Sequence, residues 1–547
     1  MTIDAARTTP TRPDRWERTV DRLISRQFGL RPQTSEYQVS RNLRIPMRDG
    51  AELLADHYAP VGAAVGTVLV RSVYGWEGIV AAMYRAQFPT RGYHLVLVRC
   101  RGTFGSGGEF QPLVREIDDG ADTVAWLRTQ PWFDGRLATV GNSYLGFTQW
   151  ALLMDPPPEL AAAVIQTAPH DFSQALYFGG SFNLDWLGWS EKLAVQERLG
   201  TLRLALRAAT ARRRHERVLS SMPLADAADQ LCEGRAPWFR DWVGTDDLTD
   251  PRWAPMRLTE ALDRTQIPVL LQSGWQDIFL PQTRQQYTRL RERGVDVALT
   301  MGPWTHRETG GKGMKVLAQE TLDWLDRHVA KIPAPARPAP VKMFVTGANE
   351  WREFDDWPEY PSDELLHPTP TGGLSEQPST GEREFTYDPA DPTPTIGGRL
   401  LDLTGGYRDD SALADRDDVL TFTSAPLPDA LEIAGIPWVE LAHRSDNPRA
   451  DLFVRLSEVD PKGRSRNVSD GFLRLQTDRA NDIIRIELDP IAHRFAAGNR
   501  IRLLIAGGSF PHWERNLGTG ADPATSTRLV PAGHILELST SRLHLPT

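Results

Sequence analysis

The ten residues Leu137-Ala138-Thr139-Val140-Gly141-Asn142-Ser143-Tyr144-Leu145-Gly146 decide the fold. A short apolar run ends at Gly141, and helical spacing begins just beyond Ser143. The serine therefore falls in a tight turn between a buried strand and a helix. Small residues on either side allow neighbouring backbones to approach, and such a turn pushes the hydroxyl out at the carboxyl end of the sheet. The next backbone N–H, on Tyr144, then faces a developing oxyanion. The spacing is G-x-S-x-x-G, not the stricter G-x-S-x-G. Taken alone, the hexapeptide fits equally a glycine turn whose serine caps the helix.

Working outward, residues 66–71 and 94–98 are short, β-branched apolar runs, which read as strands buried on both faces. Helical spacing covers residues 78–88 and 147–154. A third helix over 116–129 carries acids in its first turn, where the helix dipole favours them. Alternation of this kind predicts a parallel sheet with helices on both sides. The rhythm resumes with a strand over 267–272, a helix over 282–293 and a strand over 295–301. The expected class is α/β: an α/β-hydrolase core with an inserted helical cap and a C-terminal β jelly-roll domain.

The predicted organisation has an N-terminal arm over 1–28, mobile at first and then helical over 15–28. The core spans 29–170 and 250–332. A helical cap, rich in Arg and Trp and without a convincing strand, spans 171–249. The proline-rich run 333–340 reads as a stiff linker. Beyond it the period shifts toward two, with strands expected over 341–346, 438–443, 450–459, 483–488 and 500–506. Short strands between Gly, Pro and Asp turns predict a jelly-roll β-sandwich over 341–547.

Composition excludes several classes. Of 547 residues, 71 are acidic and 62 basic, a net charge of -9, whereas a nucleic-acid partner calls for a basic face. No apolar run reaches the length of a membrane span. Cys100 and Cys232 are too few for a disulfide framework or a cysteine zinc site. No His-Glu-x-x-His cluster appears, so neither metal nor cofactor is expected. The loop Gly102-Thr103-Phe104-Gly105-Ser106-Gly107-Gly108 lacks the Gly-Lys-Ser/Thr ending of a phosphate loop. The first 26 residues lack a secretory pattern, which makes the cytoplasm the expected location. Lysine occurs only at Lys192, Lys312, Lys315, Lys331, Lys342 and Lys462.

Chain order sharpens the serine. A hydroxyl needs a base to take its proton, and the base needs an acid to orient it. In α/β-hydrolases these follow in the order Ser, Asp or Glu, His, each after a strand. Here Asp277 follows the strand 267–272, and His306 follows the strand 295–301. Singly, Asp277 reads as a helix cap and His306 as a loop histidine. Three strand-end residues in order read as a triad. His170 also follows a strand, over 162–166, but precedes Asp277, so it is expected to be structural or to line the pocket.

Residues 45–60, 70–74 (VRSVY), 101–110 (RGTFGSGGEF) and 119–146 are similar to segments of one family, as are 274–279 (GWQDIF), 302–306 (GPWTH) and 341–358. In these pieces the chain resembles the cocaine esterase-like serine hydrolases. That family includes the α-amino acid ester hydrolases, glutaryl acylases and X-prolyl dipeptidyl-peptidases. The resemblance implies Ser143 as nucleophile, His306 as base and Asp277 as orienting acid. It implies an oxyanion hole of the Tyr74 hydroxyl and the Tyr144 N–H. It places Trp189 and Phe279 in the acyl pocket, and Trp275 and His170 are added as pocket candidates. Departures fall at Arg99, where the family usually has Asp, and at Val73, Gly75, Trp76-Glu77 and Asn142.

The expected reaction is acyl-enzyme hydrolysis of a small-molecule ester or amide. Acyl transfer to an alcohol or amine, an X-prolyl aminopeptidase, and a binding module built on the β-sandwich remain as alternatives. The cap acids Asp241, Asp246, Asp247 and Asp250 read either as a solvated loop or as a holder for a substrate ammonium. Trp186, Trp189, Trp238 and Trp242 suggest an apolar or aromatic acyl group. A homodimer is left open.

Overall fold

The computed structural model describes residues 10–76, 78–360, 363–475 and 483–547. The first nine residues of the predicted arm, and Glu77, lie outside them. From residue 10 the arm is docked. Helix α1 (Arg15–Gln27) opens with a reciprocal cap: Glu17 N–H donates to Asp14 at 2.7 Å, and Asp14 N–H donates to the Glu17 carboxylate at 3.1 Å. Its apolar face packs Ile24 and Phe28 against Ala82, Ala86 and Met314.

The chain then runs β1 (Tyr37–Pro46), β2 (Glu52–Pro60), β3 (Gly66–Ser72), α2 (Gly78–Gln87), β4 (Tyr93–Arg99), α3 (Glu116–Arg128), β5 (Leu137–Asn142), α4 (Tyr144–Leu152) and β6 (Leu160–Gln166). Next comes an excursion of helices α5 (Phe172–Leu176), α6 (Trp186–Val195), α7 (Thr201–Ser220), α8 (Leu224–Leu231) and α9 (Pro237–Val243). It also holds a small hairpin, β7 (Tyr177–Phe178) with β8 (Ser181–Phe182), where the sequence pattern showed no strand. The core resumes with α10 (Thr259–Arg264), β9 (Val269–Gln276), α11 (Leu280–Glu292), β10 (Val297–Thr305), α12 (His306–Thr309) and α13 (Met314–Leu325). It ends with β11 (Val341–Val345) and β12 (Glu350–Phe354).

These strands form one sheet in the order β1-β2-β4-β3-β5-β6-β9-β10-β11-β12. The run from β4 to β11 is parallel, and both flanking hairpins are antiparallel. Every residue of β3 and of β9 is buried, as expected of strands covered on both faces.

One expectation needs correction. Residues from 341 were assigned to the jelly roll, but β11 joins the first sheet, with Leu299 opposite Val341. The proline-rich run is the crossover that brings it there. Leu299 N–H donates to the Pro340 carbonyl at 2.8 Å, and Arg337 donates to the Leu299 carbonyl and to the Thr300 hydroxyl. Period-two alternation marks an edge hairpin of one sheet as well as it marks a strand of another.

Most of the remaining strands form a second sheet, ordered Ser465–Arg474, Asp451–Val459, Arg500–Ala506, Val419–Ser424, Gly373–Ser375, Asp363–Pro368, Ala532–Pro546, Trp438–Ser445 and Ile483–Glu487, while Leu431–Gly435 and Ile491–Phe495 pair as a separate two-stranded sheet. The sheet curls until its end strands meet. A Cβ on Gly471 would lie 2.8 Å from the Glu487 carbonyl. This β-rich unit grips the cap: Arg474 N–H donates to Gly179 at 2.6 Å, Glu514 N–H to Phe182 at 2.9 Å, and Leu184 N–H to His512 at 3.0 Å. Among the described residues no helix is long and apolar enough to cross a membrane.

The packing around the serine turn makes a direct prediction. A Cβ on Gly146 would stand 2.3 Å from the Ala168 Cβ, between α4 and the loop after β6. Gly146→Ala is expected to cost about 1–3 kcal/mol through overpacking. Thermal melting would show it as a lowered midpoint, and an unchanged midpoint would contradict the packing.

Candidate active site

Ser143 has φ 57° and ψ -125°, a backbone conformation that L-residues rarely adopt. Holding it there costs on the order of 1–3 kcal/mol. Neighbours hold it in place: Ser143 N–H donates to the carbonyls of Gln166 at 3.0 Å and Thr167 at 3.1 Å, at the end of β6. Gly141 is needed because a Cβ there would lie 2.5 Å from the Leu145 Cβ. The serine side chain makes no capping bond to α4, so the plain helix-cap reading falls away. Tyr144 is the first residue of α4, and its N–H has no carbonyl one turn back within the helix.

Asp277 and His306 come together. Asp277 is fully buried after β9, and its Oδ1 lies 2.6 Å from His306 Nδ1. Asp277 Oδ2 accepts from the Ser273 hydroxyl and the Phe279 N–H, both at 3.2 Å. The capping role and the histidine contact thus fall to different oxygens of one carboxylate. His306 opens α12, whose start is clamped by a reciprocal cap between Thr305 and Glu308. The β-rich unit reaches the same loop: Arg399 donates to the Ile278 carbonyl at 3.2 Å while pairing with Asp489 at 2.5 Å.

Tyr74 stands just beyond β3. Its hydroxyl accepts from Trp189 Nε1 at 2.9 Å and faces Ser143. Burial pushes its pKa up to about 12 against the opposing pull of Trp189 and Ser143. The phenol therefore keeps its proton, and its capacity to donate, at neutral pH. Trp189 stacks on Tyr144 at 6.4 Å and on Trp242 at 6.0 Å. Phe279 packs edge-on to His306 at 5.4 Å and lies 6.0 Å from Trp186. Trp189 and Phe279 thus reach the site and line an aromatic wall beside it.

Other candidates lie elsewhere. His170 is buried against α11, with Nδ1 3.2 Å from Gln286 and its backbone N–H on Gln282 at 2.9 Å. Burial lowers its pKa to about 4, so it serves as a neutral packing group. Trp275 donates to the Phe344 carbonyl at 2.7 Å and packs edge-on to Trp357, which puts it under the β11–β12 hairpin and not in the pocket. Asp247 binds Thr249 and Asp250 caps Arg252 in the loop after α9, while Asp241, on α9, and Asp246 are exposed. Arg99 pairs with Asp56 at 3.2 Å and with Asn42, at the far edge strands.

Behind the serine turn is a network that the sequence reading missed. Tyr144 donates its hydroxyl to Glu116 at 2.8 Å and accepts from Leu113 N–H at 3.0 Å. Glu116 also pairs with buried Arg71, and Cys100 Sγ lies 3.8 Å from it. Burial raises the Glu116 pKa, and the Arg71 charge opposes that rise. No local pattern links Arg71, Glu116 and Tyr144. Lys192, beside the Tyr74 ring at 4.1 Å, also went unread. Its signal was its position three residues after Trp189, on the same helix face.

Residues 49–308 match the X-Pro dipeptidyl-peptidase (S15) family. Residues 334–543 match the X-Pro dipeptidyl-peptidase C-terminal non-catalytic domain. The chain is 30% identical to a cocaine esterase of Rhodococcus sp. (strain MB1 Bresler), over 88% of this chain and 93% of that one. Among solved structures it superposes on an α-amino acid ester hydrolase with a TM-score of 0.80 at 22% identity, covering 93% of this chain and 96% of that one. An aminopeptidase from a marine sediment Thaumarchaeota archaeon gives a TM-score of 0.79 at 22% identity, covering 93% and 97%. At such identity these two likenesses speak for the fold alone.

Glu116 offers a test of the buried network. Glu116→Gln leaves the Arg71 guanidinium buried without its carboxylate. Removing one partner of such a pair costs about 3–5 kcal/mol. Urea melts are expected to show a large fall in midpoint, and wild-type stability would refute the assignment.

Proposed function

Because the chain belongs to the serine hydrolase family that includes cocaine esterase and the X-Pro dipeptidyl-peptidases, we propose that Ser143 is the nucleophile of an ester- or amide-cleaving reaction. The observation that carries this reading is the 2.6 Å contact between buried Asp277 and His306 Nδ1. A carboxylate on Nδ1 keeps the proton there and leaves Nε2 unprotonated as the base.

In the first half-reaction Ser143 Oγ attacks the carbonyl carbon and its proton passes to His306 Nε2. The carbonyl oxygen becomes an oxyanion, received by the Tyr74 hydroxyl and the Tyr144 N–H. Collapse breaks the bond to the alcohol or amine, which leaves with the proton from His306. Water then attacks the acyl-enzyme, again through His306, and the acid departs. Donors already aimed at the oxyanion need no reorganisation, and the Trp189 bond to Tyr74 holds one of them in place.

Ser143→Ala is expected to abolish turnover of 4-nitrophenyl esters and labelling by a fluorophosphonate while leaving the circular dichroism unchanged. His306→Ala should cost about as much, and the double variant no more, because the set acts as one unit. Full activity in Ser143→Ala would end the proposal. Tyr74→Phe should lower kcat about 10²–10³-fold, the effect of losing one oxyanion donor. A fall confined to KM would remove Tyr74 from that role.

A further inference from the structure

Lys192 lies on α6, one turn beyond Trp189, and its ammonium stands 4.1 Å from the centre of the Tyr74 ring. The same tyrosine meets Ser143 through its hydroxyl. Lys192 is accessible to solvent yet recessed. Neighbouring atoms and the charge of Arg307 lower its pKa to about 8, so it remains charged at neutral pH. Arg307 follows His306 directly. It gives its Nε–H to the Leu401 carbonyl at 2.7 Å and leaves the rest of its guanidinium without an ion pair among the described residues.

Among the described residues no carboxylate forms an ion pair with either cation. Glu191, next to Lys192, is taken by Arg207, Arg214 and His215. Glu197 accepts from the Phe104 N–H at 2.8 Å. Asp185 accepts from the Leu401 N–H at 2.8 Å; burial pushes its pKa up to about 7 against the pull of the Arg307 charge, so it offsets Arg307 with only part of a charge near neutrality. Among the described residues the only charge that acts on Lys192 is the repulsion from Arg307. A chain of net charge -9 thus keeps two cations without an ion pair close to its candidate nucleophile. A cation over an aromatic face gains about 0.5–2 kcal/mol, which retains the ammonium there without neutralising it.

We propose that Lys192 and Arg307 form an anion subsite of the active-site cleft, so that the preferred ester or amide carries a carboxylate. The proposal rests on the reading of Ser143 as nucleophile. The two cations approach from different segments, α6 of the cap and the loop after β10. A carboxylate between them relieves their repulsion and accepts charge-assisted hydrogen bonds, while the Trp189 and Phe279 wall takes the apolar part of the substrate. The carboxylate belongs either to the acyl group or to the leaving group.

Two substrate pairs test this at low ionic strength. Mono-4-nitrophenyl glutarate against 4-nitrophenyl valerate places the anion on the acyl side. The 3-carboxy-4-nitrophenyl ester of butyric acid against 4-nitrophenyl butyrate places it on the leaving group. In one pair the anionic member is expected to have a kcat/KM about tenfold higher or more, the value of one charge-assisted hydrogen bond. That ratio should fall about tenfold in Lys192→Met and in Arg307→Gln. Because each enzyme is scored by the ratio within a pair, a general loss of activity cancels. Equal or neutral-favouring rates in both pairs, or a ratio unchanged in both variants, overturn the subsite and leave the nucleophile standing. No hydrolysis of any of the four esters, together with no labelling of Ser143, overturns both.

Discussion

A serine held at φ 57° between a buried strand and a helix is the constraint on which the rest depends. The conformation is costly by itself and persists because its surroundings leave no alternative. The last carbonyl of β6 and that of the following Thr167 take the Ser143 N–H, and the bare Cα atoms of Gly141 and Gly146 let α4 close onto the sheet. Close packing on both sides turns a local strain into a fixed direction for one hydroxyl. The same geometry makes Tyr144 the first residue of α4, with its N–H beside that hydroxyl and its phenol anchored on Glu116.

Around that turn the site is assembled from segments far apart in the chain. The adjacent strands β9 and β10 deliver Asp277 and His306 at the same sheet edge, because parallel strands end together. The cap contributes Trp189, whose indole N–H orients Tyr74. The β-rich unit contributes Arg399, which binds the carbonyl of the residue after Asp277 and is itself held by Asp489. Its grip on the β7–β8 hairpin also holds the cap over the sheet. A domain without a place in the chemistry thereby buttresses both the acid loop and the roof of the cleft.

Much of this was legible in the residues. The parallel core could be read from β-branched runs at helix-length spacing, and the candidate triad from strand-end residues in the right order. Trp275 was misread because adjacency to Asp277 in sequence says nothing about which side of the sheet a ring enters, and its indole is tied to the Phe344 carbonyl beneath the β11–β12 hairpin. His170 was left between two roles, and the packing of α11 against its loop decided for the buried one. Residues 341–345 alternated like a sandwich strand, and only the path of the proline-rich crossover put them beside β10.

The sequence by itself determined the elements and their order: apolar period, turn residues and chain order are local or one-dimensional properties, and they suffice for a parallel core, a cap and a β-rich end. They also suffice to nominate Ser143, Asp277 and His306. The tertiary structure decided everything that depends on distance between remote residues. That includes the Arg71–Glu116–Tyr144 network, the seat of Trp189 on Tyr74, the reach of Arg399 into the acid loop, and the place of the Lys192 ammonium over the Tyr74 ring. A charge is neutralised, and a hydroxyl oriented, by whatever lies within a few ångströms, and folding chooses those neighbours without regard to their separation along the chain.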